Sequence, residues 1–423
     1  MKLALLSNFQ LLGAAEVERY NRLSHELEQR DTQLLLLTTN VVDGLELKYL
    51  QIPYALREFR HLGVPPVAVP NENQLVAIEE HWIRDFSLQE AREGARACRS
   101  FYQSLLTHLQ PDFVGAWNTL FPQSRILQML CEELSIPAFT FERGFLPGTL
   151  MLDRLRNNVD SELNNSFSSA SLFRRYPKNA DLIKTYRKFY DEQRPSKYLP
   201  GEKNDRQQQD RLLATVGKPL VLALSQSHGA GIYPRSHPSA RRNFAHFATL
   251  THALRELMLV CPDHQVAFRD HPLNNWENAP TELPEGVIRL DHGPFGDLLP
   301  HADVVVSFGS TTAIYEVLLQ DKPLIVVGDS AIGRFDPYVR CSDGDLRTAL
   351  ASALDEQQQA HHRERAASAL SFLLEHFLIA DDPAVSLPHS LSDLAEFIAG
   401  YDLHCASSLE ARFSALSQWI SAN

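Results

Sequence analysis

The chain has 423 residues, 44% apolar and 22% charged, a globular composition that excludes wholesale disorder and permits a large core without disulfide or metal staples. At roughly 150 residues per domain, the length suggests two or three domains. With 40 Lys and Arg against 52 Asp and Glu, the net charge is -12, which argues against a generic nucleic-acid binder, because such a protein needs a basic surface to displace counterions.

Lys2 to Ser7 is a short apolar run of strand length. The opening Met1-Lys2-Leu3-Ala4-Leu5-Leu6 has the look of a signal peptide only until Ser7, Asn8 and Gln10 interrupt it, so it reads as a buried first strand. Residues 14–30 have helical spacing (Val17, Tyr20, Leu23, Leu27), and 33–39 (QLLLLTT) form a second strand-like run. This β-α-β rhythm suggests a parallel sheet covered on both faces. Residues 75–110 read as helical, 112–117 (DFVGAW) as a strand, 124–134 as a helix and 137–141 (PAFTF) as a strand. The stretch 154–217 is polar, with Pro177, Pro195 and Pro200, and reads as an interdomain connection with a helix over 181–191.

A second α/β rhythm follows. Strands are expected at 218–225 (KPLVLALS), 264–269 (HQVAFR), 286–290 (GVIRL), 303–308 (DVVVSF) and 323–327 (PLIVV). Helices are expected at 240–260, around 295–299, and at 311–320, 346–354 and 359–377. Leu409, Phe413, Leu416 and Ile420 mark one face of a terminal amphipathic helix. The expected architecture is α/β: two doubly wound, Rossmann-type domains facing across a cleft. Residues 1–200 would form the first domain with its connector, 215–385 the second, and 386–423 a helical extension. Five scattered cysteines (Cys98, Cys131, Cys261, Cys341, Cys405) form no CxxC pair and read as reduced thiols of a cytoplasmic protein. No apolar run approaches the length of a membrane span.

In such sheets ligands lie beyond the carboxyl ends of the strands. Four segments stand there. In Ser307-Phe308-Gly309-Ser310-Thr311-Thr312 a glycine turn opens a helix, and its free N–H groups and hydroxyls suit a phosphate; the plain alternative is an N-cap. Glu316, one turn on, would reach a ribose hydroxyl or face solvent. In Phe268-Arg269-Asp270-His271-Pro272, His271 could donate to a departing phosphate, and Arg269 could pair with a carboxylate or phosphate. Gln226 and His228 lie in the glycine-containing loop Ser225 to Gly231. In the first half, Glu142 and Arg143 follow PAFTF, in a segment running to Asp153. Glu142 is placed to take a proton from an acceptor hydroxyl, and Arg143 reads as its salt-bridging neighbour. GxGxxG, P-loop, HExxH and GxSxG motifs are all missing. Asp343-Gly344-Asp345 reads as a helix N-cap rather than a metal site, and no metal is expected.

Together these segments resemble the capsular polysaccharide biosynthesis protein family, which includes bacterial Kdo transferases. FERGFLPGTLMLD is similar to that family's Glu-x-Gly, Pro, Thr-Leu stretch, ALSQSHGAG to its Gln-containing loop, FRDHP to its His-Pro motif, and SFGSTTAIYEVLLQDKPLIVVG to its Ser/Thr-rich nucleotide loop. The ordered resemblance spans roughly residues 110–330. It implies a GT-B fold and a CMP-activated 2-keto sugar acid as donor, CMP-Kdo first among them. The acceptor would be an oligosaccharide or lipid-linked glycan of a surface polysaccharide. By the same resemblance His271 and Ser310/Thr311, with Thr312, would hold the phosphate. Arg269, Glu316, Gln226 and His228 would line the donor site. Glu142, with Arg143 and Asp153 nearby, would serve the acceptor. No cofactor, metal or nucleic acid is implied, and the place expected is the cytoplasm or the inner face of a membrane. In one respect the chain departs from the pattern: retaining members carry an Asp shortly after the loop Gln, whereas Gln226 here is followed by Ser227 to Gly231 without a carboxylate. Inversion by direct displacement, a carboxylate from elsewhere and an altered site stay open. Two other readings stay open beside transfer: a sugar-nucleotide 2-epimerase and a non-catalytic sugar or nucleotide binder.

Overall fold

The structure, a computed structural model, describes residues 1–9, 12–40, 43–73, 75–76, 87–118, 121–153, 176–193, 213–214, 217–225, 247, 249–270, 283–290, 295–308, 312–328, 338–341 and 344–400. The first sheet holds β1 (Lys2–Asn8), β2 (Thr32–Thr38), β3 (Lys48–Gln51), β4 (Phe113–Trp117), β5 (Ala138–Arg143), β6 (Thr149–Asp153) and, much later in the chain, β13 (Leu378–Ala380). The second holds β7 (Leu220–Ser225), β8 (Gln265–Arg269), β9 (Ile288–Arg289), β10 (Val304–Phe308), β11 (Leu324–Val327) and β12 (Val339–Cys341). The helices are α1 (Ala14–Glu28), α2 (Leu56–Phe59), α3 (Leu88–Leu109), α4 (Pro122–Glu133), α5 (Ala180–Gln193), α6 (Leu250–Val260), α7 (Phe295–Leu298), α8 (Thr312–Leu319), α9 (Leu346–Leu354), α10 (Glu356–Phe372) and α11 (Leu391–Gly400).

The strand order is 13-6-5-4-1-2-3 in the first sheet and 12-11-10-7-8-9 in the second. Among the described residues, every pairing in the second sheet is parallel, and in the first only those of β6 with β5 and β13 are antiparallel. The architecture is therefore α/β with two doubly wound, Rossmann-type sheets. Strands such as LVLALS and VVVSF are buried at every position, because helices cover both faces and leave no polar side for alternation to mark.

Side-chain alternation divides each sheet's apolar residues between two cores. In the first sheet, Ala4, Leu6, Leu34, Leu36 and Phe113 pack against α1 and α11, and Leu5, Leu37, Val114 and Ala116 against α3 and α4. In the second, Val221, Ala223, Phe268 and Val306 meet α6 and α9, and Leu222, Leu224, Val305 and Val326 meet α5, α8 and α10. Ser87 opens α3 with a capping box to Glu90, and Asp345 and Asp355 cap α9 and α10 through the N–H groups of Thr348 and Gln358. Asp345 is thus the N-cap expected, while Asp343 lies outside the described residues.

The domain limits differ from those the composition suggested. The helix in the polar connector, α5, is no solvated linker: Ile183, Tyr186, Phe189 and Tyr190 are buried in one cluster with Leu220, Leu222, Leu224 and Val305 of the second sheet, with Met151 of the first, and with Phe145 and Leu146 from the turn between β5 and β6. The second domain does not run to 385 either. After α10 a π-turn (Leu373–Phe377) hands the chain to β13, which pairs with β6, and α11 then packs its Leu394, Phe397 and Ile398 into the core shared with α1. The described part of the expected extension, 386–400, thus packs with the first sheet, and residues 401–423 lie outside the described residues. FLPGTLMLD likewise contains a strand: Gly148, at φ 70, turns the chain so that β6 runs back along β5.

Among the described residues no helix is long and apolar enough to cross a membrane. Cys98, Cys131, Cys261 and Cys341 are buried thiols that form no disulfide with one another; Cys405 lies outside the described residues.

Candidate functional site

Three of the segments singled out in the sequence leave three adjacent parallel strands at one edge. The central strand, β7, lies between β10 and β8. Phe308 stands opposite Ser225, and Leu224 opposite Arg269. The three strands therefore end side by side at Phe308, Ser225 and Arg269, the last followed by Asp270, at the carboxyl ends where α/β sheets bind ligands. Gln226, His228, His271, Ser310 and Thr311 themselves lie outside the described residues. Thr312 is the first residue of α8.

Three residues not singled out by the sequence analysis, Ser225, Asp270 and Arg289, tie this edge together. Ser225 Oγ donates to Asp270 Oδ1 at 2.5 Å, and Arg289 Nη1 lies 4.0 Å from Asp270 Oδ2. Asp270 is only 3% exposed, and this hydroxyl and the neighbouring guanidinium are the partners that a buried carboxyl group needs. Arg269 points to the opposite face of β8. It is 7% exposed and donates from Nη1 to the Leu290 carbonyl at 3.5 Å, so it sits within the sheet edge rather than on an open surface. Glu316 is also buried, which excludes the solvent-facing alternative; Tyr190 of α5 donates to its Oε2 at 2.5 Å.

The first sheet has a matching edge. Its parallel strands β1, β4 and β5 end at Asn8, Trp117 and Arg143. Glu142 and Arg143 are the last residues of β5 rather than the start of a loop. Glu142 is half-buried, and Asn118 Nδ2 donates to its Oε1 at 2.9 Å. Asn118 sits just beyond β4 at φ 49, a left-handed conformation that Asn tolerates better than most residues. Its N–H donates to the Phe141 carbonyl at 3.0 Å, and its own carbonyl accepts from Phe121 N–H at 3.2 Å. The amide that holds Glu142 is therefore itself fixed.

Arg143 is engaged by Glu16, whose side chain is 10% exposed, at the start of α1. Burial raises the Glu16 carboxyl, but the Arg143 and Arg19 guanidiniums and the hydrogen bonds it accepts outweigh burial and hold it below its ordinary value. Asp153 stands opposite Thr140, two positions in from the level of Glu142, and is 1% exposed. It is embedded in the sheet rather than set on the rim with Glu142. Asn118 and Glu16 went unnoticed in the sequence, and the one signal for Asn118 was a polar residue directly after an apolar strand.

Helix α5 links the two edges. Tyr186 donates to the Pro147 carbonyl in the β5–β6 turn, and Tyr190, one helical turn on, donates to Glu316 on α8. Among the described residues, no group of three or more His, Cys, Asp or Glu side chains is placed to hold a metal ion. The chemistry available is a half-buried carboxylate able to take a proton on one edge, and on the other the carboxyl ends of three adjacent parallel strands.

No protein-family model matches the sequence, and no curated protein does. Among solved structures the chain is similar to a β-Kdo 2,4-transferase, KpsC, of Thermosulfurimonas dismutans, at 17% identity over 61% of this chain and 79% of that one, with a TM-score of 0.38. It is similar to a UDP-GlcNAc 2-epimerase of Neisseria meningitidis bound to UDP-GlcNAc, at 12% identity over 88% and 98% of the two chains and a TM-score of 0.40. It is also similar to the glycosyltransferase SnogD of Streptomyces nogalater, at 11% identity over 95% and 99%, with a TM-score of 0.39.

Proposed function

We propose that this protein is a nucleotide-sugar glycosyltransferase whose donor is a CMP-activated 2-keto sugar acid of the Kdo type and whose acceptor is an oligosaccharide or lipid-linked glycan. The observation that supports the proposal is that β7, β8 and β10 end next to one another at Ser225, Arg269 and Phe308, the residues that Gln226, Asp270-His271 and Ser310-Thr311 follow in sequence, with a carboxylate, Glu142, at the end of β5 in the other sheet.

On this reading the single phosphate of CMP rests at the start of α8, on Ser310, Thr311 and Thr312, with His271 beside it. Glu316 serves the ribose, and Gln226 and His228 line the donor. Arg269 backs the strand ends from within the sheet. The acceptor oxygen attacks the anomeric carbon, Glu142 takes its proton, and the bond from that carbon to the phosphate oxygen breaks. CMP departs with the electron pair, and His271 donates to the phosphate oxygen that receives it. A leaving group with one phosphate asks for less positive charge than a diphosphate, so a helix terminus and an imidazole suffice and no cofactor is needed.

The test is incubation with CMP-Kdo and Kdo-terminated acceptors, following CMP release and product mass. Transfer is expected, and Glu142→Gln should lower kcat by about 100-fold or more with CMP affinity unchanged. Isomerisation of UDP-GlcNAc without an acceptor would replace this reading with a 2-epimerase. An absence of both transfer and nucleotide binding would overturn it.

A further inference from the structure

Tyr190 and Glu316 form a buried polar contact between two helices. Tyr190 is 4% exposed and Glu316 8%, and the phenol donates to Oε2 at 2.5 Å. Burial, and after it the Glu316 charge, pushes the Tyr190 phenol far above its ordinary value, so it keeps its proton and acts as the donor. The ring has one place to be: a Cβ on Gly296 of α7 would come within 2.8 Å of the Tyr190 oxygen. Glu316 lies four residues from Thr312, one helical turn from the start of α8. A buried carboxylate without such a donor would lose its charge or swing to another rotamer.

We propose that Tyr190 is a positioning residue for donor recognition: by holding Oε2 of Glu316 it fixes the carboxylate that receives the ribose hydroxyls of the nucleotide. This rests on the transferase reading above and deepens it, since it makes the site selective for a ribonucleotide over its deoxy counterpart and traces that selectivity to a side chain on α5. The same helix carries Tyr186, which donates to the Pro147 carbonyl five residues beyond Glu142. One rigid helix thus sets the donor carboxylate against the turn that follows the acceptor carboxylate.

The experiment is calorimetric titration of the full chain with CMP and with 2′-deoxy-CMP. The wild-type chain should prefer CMP by about tenfold, as expected for hydrogen bonds to a charged group. Tyr190→Phe should bring that preference below about threefold. Tyr186→Phe also removes a buried hydroxyl contact of α5; it should lower the melting temperature but leave the preference intact, which separates positioning from plain stabilisation. If Tyr190→Phe does not fold, Gly296→Ala, whose Cβ would fall 2.8 Å from the Tyr190 oxygen and push it off Glu316, gives the same readout with the carboxylate kept. A folded Tyr190→Phe protein with an unchanged CMP to deoxy-CMP ratio, or a wild-type chain that binds both equally, overturns the inference while leaving the transferase reading standing. A wild-type chain that binds neither nucleotide overturns both.

Discussion

Replacing Asp381 by alanine removes the anchor by which the returning chain is fastened to the first domain. Asp381 follows β13 directly. Arg19 Nε donates to its Oδ1 at 2.6 Å and Arg19 Nη2 to its Oδ2, while Arg22 donates to its backbone carbonyl. The N–H groups of Asp381 and Asp382 both donate to the Gly148 carbonyl, at 2.9 and 3.1 Å. The Arg19 side chain is 6% exposed and lies 5.7 Å from the Trp117 ring centroid, so without Asp381 its charge is stranded away from water. At an effective dielectric of about 20, unit charges about 4 Å apart exchange about 4 kcal/mol, and breaking one side of a buried pair costs about 3–5 kcal/mol. The Asp381 side chain is 14% exposed, which places the expected loss at the lower end, about 3 kcal/mol. Urea unfolding followed by circular dichroism measures it. Arg19→Met in the Asp381→Ala background should recover at least about half of the loss, because it removes the stranded charge and keeps the apolar stem. A loss below about 1 kcal/mol, or losses that simply add in the double variant, would refute the anchoring role of this pair.

Gly144 and Gly94 are both sites of close backbone approach. A Cβ on Gly144 would fall 1.9 Å from Thr149 Oγ1 and 3.0 Å from the Thr149 backbone, so Gly144→Ala should cost about 2–3 kcal/mol and, by moving the turn after Glu142, lower activity beyond what the melting temperature explains. A Cβ on Gly94 would meet the Leu56 carbonyl at 2.1 Å, so Gly94→Ala should force α2 and α3 apart and cost about 3 kcal/mol in urea unfolding, with the second domain untouched. Because the Glu16 carboxyl lies below its ordinary value of 4.5, its contribution to stability is complete above that value and is lost as pH falls through the lower folded value. Glu16→Gln should therefore flatten the acid side of the stability profile and leave its neutral side unchanged in shape.

The second domain was the more legible in sequence. LVLALS, QVAFR, VVVSF and LIVV are short apolar runs bounded by Pro, Asp or Gly, and each became a buried parallel strand. The first domain hid more. Its edge strand β3, KYLQ, is exposed at all four positions, so no hydrophobic pattern marks it. The strand β13 has three residues and pairs with Met151, Leu150 and Thr149, more than two hundred positions earlier, and no local signal specifies such a partner. The burial of α5 was masked by its charges: Lys184, Arg187, Lys188 and Asp191 cover one side, while Ile183, Tyr186 and Tyr190 fill the other. At the site, strand ends were readable because glycine and hydroxyl residues follow apolar runs. The partners that fix the reactive groups were not, because Asn118 with Glu142, Glu16 with Arg143 and Tyr190 with Glu316 are brought together only by the fold.

The most direct measurement is the crystal structure of the chain with CMP. The nucleotide is expected at the carboxyl ends of β7, β8 and β10, its phosphate at the first turn of α8 and its ribose against Glu316. CMP bound anywhere else, or side chains filling that place while the nucleotide is excluded, would contradict it.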